Sequence, residues 1–135
     1  MRIMVDANII ISAGLFPEST IGKVFSHIAK NHKLVLCQYT IDELKNVFKN
    51  KFPERSEYFN KFIKRYKYEL INIKIRDYKK YPNIRDNNDL PVLANAIEAK
   101  VELLITGDKD FDDVNIENMK IIKPRKYIDE YMWWK

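Results

Sequence analysis

Residues 84–111, IRDNNDLPVLANAIEAKVELLITGDKDF, constrain the fold more than any other part of the chain. Asp86 and Asp89 open a helical segment over about residues 89–100. The apolar run Leu103, Leu104 and Ile105 follows, then Thr106-Gly107-Asp108-Lys109-Asp110. This is a helix start, a buried strand and a strand end, with carboxylates at the first and the last. In an open parallel sheet both places lie on one rim, formed by the carboxyl ends of the strands. That rim is the expected functional site.

The rest of the chain alternates in the same way. Residues 2–7, RIMVDA, read as a buried strand closed by Asp6, a costly place for a carboxylate unless something there needs it. An apolar run, residues 9–11, comes next. Ser19 is a good N-cap, and Ile21, Val24, Phe25 and Ile28 fall at i, i+3, i+4 and i+7, one buried helix face ending near residue 31. Residues 34–37, LVLC, form a short continuous strand of the buried parallel kind. A helix starts at residues 40–43 with Ile41, Leu44, Val47 and Phe48 inward, and Pro53 stops it. A further helix over residues 56–68 turns Phe59, Phe62, Ile63 and Tyr66 inward. Residues 70–75, LINIKI, alternate as an edge strand does, and 77–85 form a polar connection. The final strands span 102–105 and 120–123, with a helical turn or two over 126–131. Strands alternating with helices predict the α/β class: a mainly parallel, Rossmann-like sheet with helices on both faces, in a single domain over residues 1–135.

Composition narrows the class. The chain is 46% apolar and 32% charged, as soluble globular proteins are. No apolar run approaches the ~20 residues of a membrane span, and Asp6 interrupts the apolar N-terminus, so neither a membrane anchor nor a signal peptide is expected. One cysteine, Cys37, permits no internal disulfide, which points to a reducing compartment, by default the cytoplasm. A net charge of +5 suits a polyanionic partner; a lysine-rich, solvated surface is the plain alternative.

Asp6, Glu43, Asp89 and Asp108 all map to the one rim. Like charges repel by about 4 kcal/mol per pair at 4 Å and an effective dielectric of 20. Such a cluster persists when some members stay protonated or a divalent cation compensates them. Oxygen-only ligands select Mg²⁺ or Mn²⁺ over zinc, and carboxylate-held metals are a standard device for phosphodiester hydrolysis. Each acid has a plainer role open to it. Thr40-Ile41-Asp42-Glu43 fits a capping box, Asp89 an N-cap ahead of Pro91, and Asp108 or Asp110 a turn after Gly107. Asp6 has the weakest such alternative, and four plain roles meeting at one rim is the less economical account. Other chemistries fit poorly. His27, His32 and Cys37 lack zinc-ligand spacing. Asp108, Asp110 and Asp112 imitate an EF-hand start, but Asp113 stands where glycine is needed and Met119 where glutamate is. No glycine-rich phosphate loop is present.

MVDANIIIS, TIDEL and DLPVLANAIEAKVELLITGDKDF, in that order and spacing, resemble the PIN-domain nucleases, in particular the small VapC-type toxins of toxin–antitoxin pairs. The resemblance covers the chain from Ile3 to about Pro124. It implies a three-layer α/β/α sandwich and metal-dependent cleavage of RNA with Mg²⁺ or Mn²⁺. It places the four catalytic, metal-binding acids on Asp6, Glu43, Asp89 and Asp108, with Asn8 and Thr106 as polar residues that orient them. Asp86 and Asp110 are nearby extras, because the family often doubles the acid at both places. Position 7 is alanine where the family usually has threonine or serine, which removes one hydroxyl.

For RNA contact the candidates are Lys45, Lys49, Lys51 and Arg55, with Lys61, Lys64 and Arg65 as a second stripe; a solvated helix face is the alternative. Tyr58, Tyr66 and Tyr68 are candidates for stacking on bases. Met132, Trp133 and Trp134 either fold back onto the sheet or form a dimer or antitoxin contact. The sequence thus predicts an endoribonuclease with RNA as substrate, a cognate antitoxin and a homodimer as candidate partners, and no membrane partner. The competing readings are a non-catalytic RNA- or partner-binding module and a DNA-directed nuclease using the same site.

Overall fold

Five apolar runs become five parallel strands in a computed structural model that describes residues 1–132; Trp133 and Trp134 lie outside the described residues. The strands are β1 (Arg2–Val5), β2 (Lys33–Cys37), β3 (Glu69–Ile71), β4 (Leu103–Ile105) and β5 (Lys120–Ile122), in the spatial order β3-β2-β1-β4-β5. Every strand pair of this sheet is parallel, and Met4 at the centre pairs with Val35 on one side and Leu104 on the other.

Both faces of the central strands are covered, which is why their sequences are unbroken apolar runs. Side chains alternate across the sheet. Ile3, Val5, Leu34, Leu36, Leu103 and Ile105 enter one core, while Met4, Val35, Cys37 and Leu104 enter the other. The first core is closed by α1 (Ala7–Leu15), α2 (Thr20–Asn31), α3 (Gln38–Lys51), α4 (Ser56–Lys64) and α6 (Pro124–Tyr131). The second is closed by α5 (Leu90–Glu98) and by Ile84, Val101, Phe111, Val114 and Met119 from the loops. This is the α/β/α sandwich implied by the sequence. Among the described residues, no helix is long and apolar enough to cross a membrane.

Several boundaries differ from the sequence reading. Residues 9–11 belong to α1, a helix that leaves β1 directly, because the Asp6 carboxylate accepts the Ile9 N–H at 3.0 Å and caps it. Ile9 and Ile10 are then free to pack into the first core. The helix read over 56–68 ends at Lys64, and Tyr66 beyond it packs edge-on to Phe25 and Phe62. Strand β3 is an edge strand, as its alternation implies, yet it spans only three residues. Residues 72–75 leave the sheet because the Ile73 N–H donates to Asn95 Oδ1 on α5 at 3.0 Å. The helix read over 89–100 stops at Glu98, and Lys100, at φ 57°, turns the chain into β4.

Phe48 of α3 stacks on Phe59 of α4 with ring centroids 4.1 Å apart and is 2% exposed. It holds the helix that carries Glu43 against the rest of the first core. Phe48→Ala is expected to lower unfolding stability by about 3–5 kcal/mol in urea denaturation, with an unchanged m-value.

Candidate active site

The strand order runs outward from β1 through β2 to β3, then resumes on the other side at β4 and β5, so the connection reverses between β1 and β4. In open α/β sheets that reversal opens a crevice at the carboxyl ends of the strands. Asp6 follows β1 and Thr106 follows β4, which puts both at the crevice.

Hydrogen bonds lock them together. The Asp6 N–H donates to the Ile105 carbonyl at 3.3 Å, and the Thr106 N–H to the Ile122 carbonyl at 3.1 Å. Thr106 is buried, and its hydroxyl donates to Asp6 Oδ2 while accepting the Asp108 N–H at 3.1 Å. Asp108 Oδ1 in turn accepts the Asp110 N–H at 2.9 Å, capping a 3₁₀ turn over Lys109–Phe111. The turn role open to Asp108 is therefore real, and it leaves the second oxygen of that carboxylate for the crevice.

Asp86 caps the 3₁₀ turn Asn87–Asp89 by accepting the Asn88 N–H at 2.9 Å. Asp89 stands at the N-cap position of α5 yet makes no capping hydrogen bond, and its Oδ2 is buried without a hydrogen-bond partner. Its N-cap alternative therefore fails. Glu43 is not a capping residue either. Helix α3 begins at Gln38, so Thr40 lies inside the first turn, where its hydroxyl contacts Cys37 Sγ at 3.2 Å. Of the two polar residues expected to orient the acids, Thr106 does so with its side chain. Asn8 is exposed, and among the described hydrogen bonds none involves its side chain; its backbone N–H is what supports Asp6.

The tightest acid group is Asp86, Asp89 and Asp110, each offering one oxygen such that all three lie within 4.8 Å of one another. Two of these three are the extras of the sequence reading. The Asp6 charge raises the cost of ionising Glu43, and Asp108 couples to Asp6, Asp89 and Asp110. Burial, then the charges of Asp108, Asp86 and Asp110, push Asp89 up to about 7. Burial raises Asp6, against the hydrogen bonds from Thr106 and Ile9 that lower it. Desolvation followed by the charges of Asp6 and Asp86 raises Glu43, and desolvation followed by Asp108 raises Asp110. Among the described residues no ion pair links a cation to any of these six carboxylates.

The basic candidates divide. Lys51 lines a groove with Glu43, Asn46 and Asn50 along α3. Lys45 and Lys49 are exposed, but at about 100° per residue they stand about 200° and 240° round the helix from Glu43, and neither lines that groove. Of the three, Lys51 alone shares that groove with Glu43. Arg55 is exposed on the 3₁₀ turn Pro53–Arg55, beyond the end of α3. One residue of the rim escapes the sequence reading altogether. Tyr39, in the first turn of α3, is 39% exposed and lies in the field of Glu43, Asp89 and Asp86. Its i, i+4 spacing to Glu43 is the signal that marks it.

A model of the PIN domain matches residues 2–110. The chain belongs to the PIN domain family. Solved structures of similar fold include VapBC2 from Rickettsia felis bound to a DNA fragment from its promoter. That likeness has a TM-score of 0.71 and 22% identity, and covers 91% of this chain and 98% of the other. DNA-bound VapBC from Salmonella typhimurium is similar at a TM-score of 0.66 and 17% identity, over 92% and 98% of the two chains. Among curated proteins none matches.

The acid set of this PIN domain fits a hard divalent cation. Its donors are all carboxylate oxygens, they raise one another's pKa for want of a counter-charge, and Asp89 Oδ2 is buried with nothing bonded to it. The same crowding makes stability depend on pH. Because the folded state holds the Asp89 proton more tightly than an unfolded chain does, the contribution is full below its ordinary value of 3.8 and lost as pH rises through about 7. The metal-free protein is expected to melt at lower temperature at about pH 8 than at about pH 5, with the slope reduced in Asp89→Asn. Added Mg²⁺ or Mn²⁺ should raise the melting temperature more at the higher pH, and an equal effect at both would count against the cluster as a cation site.

Proposed function

We propose that this PIN domain is a metal-dependent endoribonuclease and the toxin component of a toxin–antitoxin pair. The observation that carries the reading is the crevice itself. Carboxylates from four separate stretches of chain meet there; among the described residues no cation is paired to them, and one buried oxygen has no hydrogen-bond partner. Asp6, Glu43, Asp89 and Asp108 would hold the metal, with Asp86 and Asp110 completing the set. Mg²⁺ or Mn²⁺ bound there supplies Lewis acidity that activates water and stabilises the departing oxygen.

The chain's own residues do the rest. Thr106 and the Ile9 N–H hold both Asp6 oxygens in place, so the carboxylate does not swing away when a phosphate arrives. Asp89 or Glu43 would accept the proton of the attacking water. The water oxygen attacks phosphorus, the bond to the departing sugar oxygen breaks, and solvent returns a proton to it. No covalent enzyme intermediate is invoked, because the one hydroxyl locked into the acid network, that of Thr106, is buried and already committed to Asp6.

RNA rather than DNA is the preferred substrate on the family resemblance, and the net charge of +5 suits either. The toxin assignment and the cognate antitoxin rest on the likeness to the two VapBC assemblies. The purified chain is expected to cleave single-stranded RNA with Mn²⁺ and to stop in EDTA, and Asp6→Asn to slow cleavage by about 10²–10³-fold. Undiminished cleavage by that variant would remove the claim, and stronger activity on single-stranded DNA would redirect it. Thr106→Val is expected to cost about 10–100-fold in activity or metal affinity, since it orients Asp6 without replacing it. Mixing with the product of an adjoining small reading frame should inhibit cleavage; failure to inhibit would sink the toxin assignment and leave the nuclease.

A further inference from the structure

Two surfaces flank the crevice, and their chemistry differs. On the β5–α6 side, Lys123, Arg125 and Lys126 line a groove with Asp108. Each is already ion-paired: Lys123 with Asp112 at 3.3 Å, Arg125 with Asp129 at 3.6 Å and Lys126 with Glu130 at 3.7 Å. On the α3 side, two grooves meet at Tyr39. One runs along α3 past Glu43 to Lys51, and the other runs past Pro91, at the start of α5, to Lys74 and Tyr78. Among the described residues neither Lys51 nor Lys74 is in an ion pair. Tyr39 and Tyr78 are two of the few large apolar side chains left in solvent, 39% and 37% exposed.

Exposed aromatic faces spaced along a groove, with cations at its ends and amides between, are the elements that bind single-stranded nucleic acid. A duplex keeps its bases stacked on each other and cannot offer them to such faces. Of the tyrosines named from the sequence, Tyr66 is packed among Phe25 and Phe62 and Tyr68 rests against the first core, while Tyr58 is 39% exposed but lines neither groove. Asp42 lines both grooves and takes a hydrogen bond from Gln38, so the surface is not strongly positive. Base stacking, more than charge, has to supply the affinity.

We propose that the surface from Lys51 past Tyr39 to Tyr78 and Lys74 seats the unpaired RNA strand beside the cleaved phosphate, with Tyr39 and Tyr78 stacking on its bases. This rests on the ribonuclease reading and assigns to Tyr39 and Tyr78 the holding of the strand. Tyr39 is a positioning residue: it orients the strand one helical turn from Glu43.

The test uses a single-stranded RNA oligomer carrying 2-aminopurine. It is bound to the Asp6→Asn chain in Mg²⁺, so that binding is read without cleavage, and cut in parallel by the chain with Asp6 intact. Fluorescence is expected to be quenched on binding. Tyr39→Ala and Tyr78→Ala should each relieve the quench and weaken binding by about five- to 150-fold. Tyr39→Phe and Tyr78→Phe should keep both. With two phosphates neutralised, log affinity should fall against log salt with a slope of about −1.4. A blunt duplex of the same sequence should bind more weakly than the single strand. If the alanine variants bind, quench and cleave as the parent does, the proposal is overturned while the nuclease reading stands. If the parent never cleaves yet the quench depends on the two tyrosines, the nuclease reading fails and the strand-binding surface remains. If RNA neither quenches nor binds, the proposal falls, the nuclease reading falls with it where the parent also fails to cleave, and a peptide partner becomes the better occupant of the groove.

Discussion

The hydrogen bond from Thr106 to Asp6 joins the ends of β1 and β4 at the one place where the strand order reverses. Everything else at the crevice hangs from it. Asp6 is bound through one oxygen to this hydroxyl and through the other to the start of α1. The Thr106 hydroxyl also accepts the Asp108 N–H, so the direction of the chain after β4 is set by the same group. A buried threonine with a committed donor and acceptor is a stiff connector, and stiffness is what a multi-carboxylate site needs. Without it, repulsion among the acids would be relieved by rotation of Asp6 or by opening of the strand ends.

That repulsion is a standing cost to the fold. Raised proton affinity at Asp6, Glu43, Asp89 and Asp110 means that each is less comfortable ionised here than in water. A structure selected for stability alone would place a lysine or arginine among them. Arg85 contacts Asp113 instead, at 3.1 Å, and its field reaches Asp110. The compensation comes from the two cores, where strands exposed at neither face anchor the rim from below. Local strain carried by a rigid scaffold is the usual bargain at a functional site.

How much of this was legible follows from where the signals lie. Helix α2 and the central strands could be read directly, because Ser19 caps a clean 3.6-residue pattern and the buried strands are short unbroken apolar runs. Helix α1 could not, since Ile9, Ile10 and Ile11 carry the β-branched signature of a strand; only the cap from Asp6 tells the chain to turn. Strand β3 is shorter than the alternation of LINIKI implies, because a single tertiary contact, Ile73 to Asn95, pulls its second half off the sheet. The rim acids were legible because strand ends and helix starts map to one edge in any parallel sheet. Which acids touch was not. The 3₁₀ turns that draw Asp86 and Asp110 in beside Asp89 are too short to leave a periodic trace. Tyr39 was overlooked for a related reason: α3 begins two residues before the Thr40 that looked like its cap, which moves the tyrosine from a loop onto the first turn.

The backbone bonds made by the rim aspartates separate their roles. Asp6, Asp86 and Asp108 each accept a main-chain N–H from the turn that follows, so each has one oxygen held by the fold. Asp89 has no such donor, although it stands where a capping residue would. Its Oδ2 is buried and unbonded, and nothing local stabilises its negative charge, so it is the carboxylate on which a proton is most readily held near neutral pH. A cation arriving in the crevice would gain most at Asp89, where it replaces a proton and not a hydrogen bond. Burial, the charges of Asp108, Asp86 and Asp110, and the missing capping bond together explain why Asp89 weakens the metal-free fold.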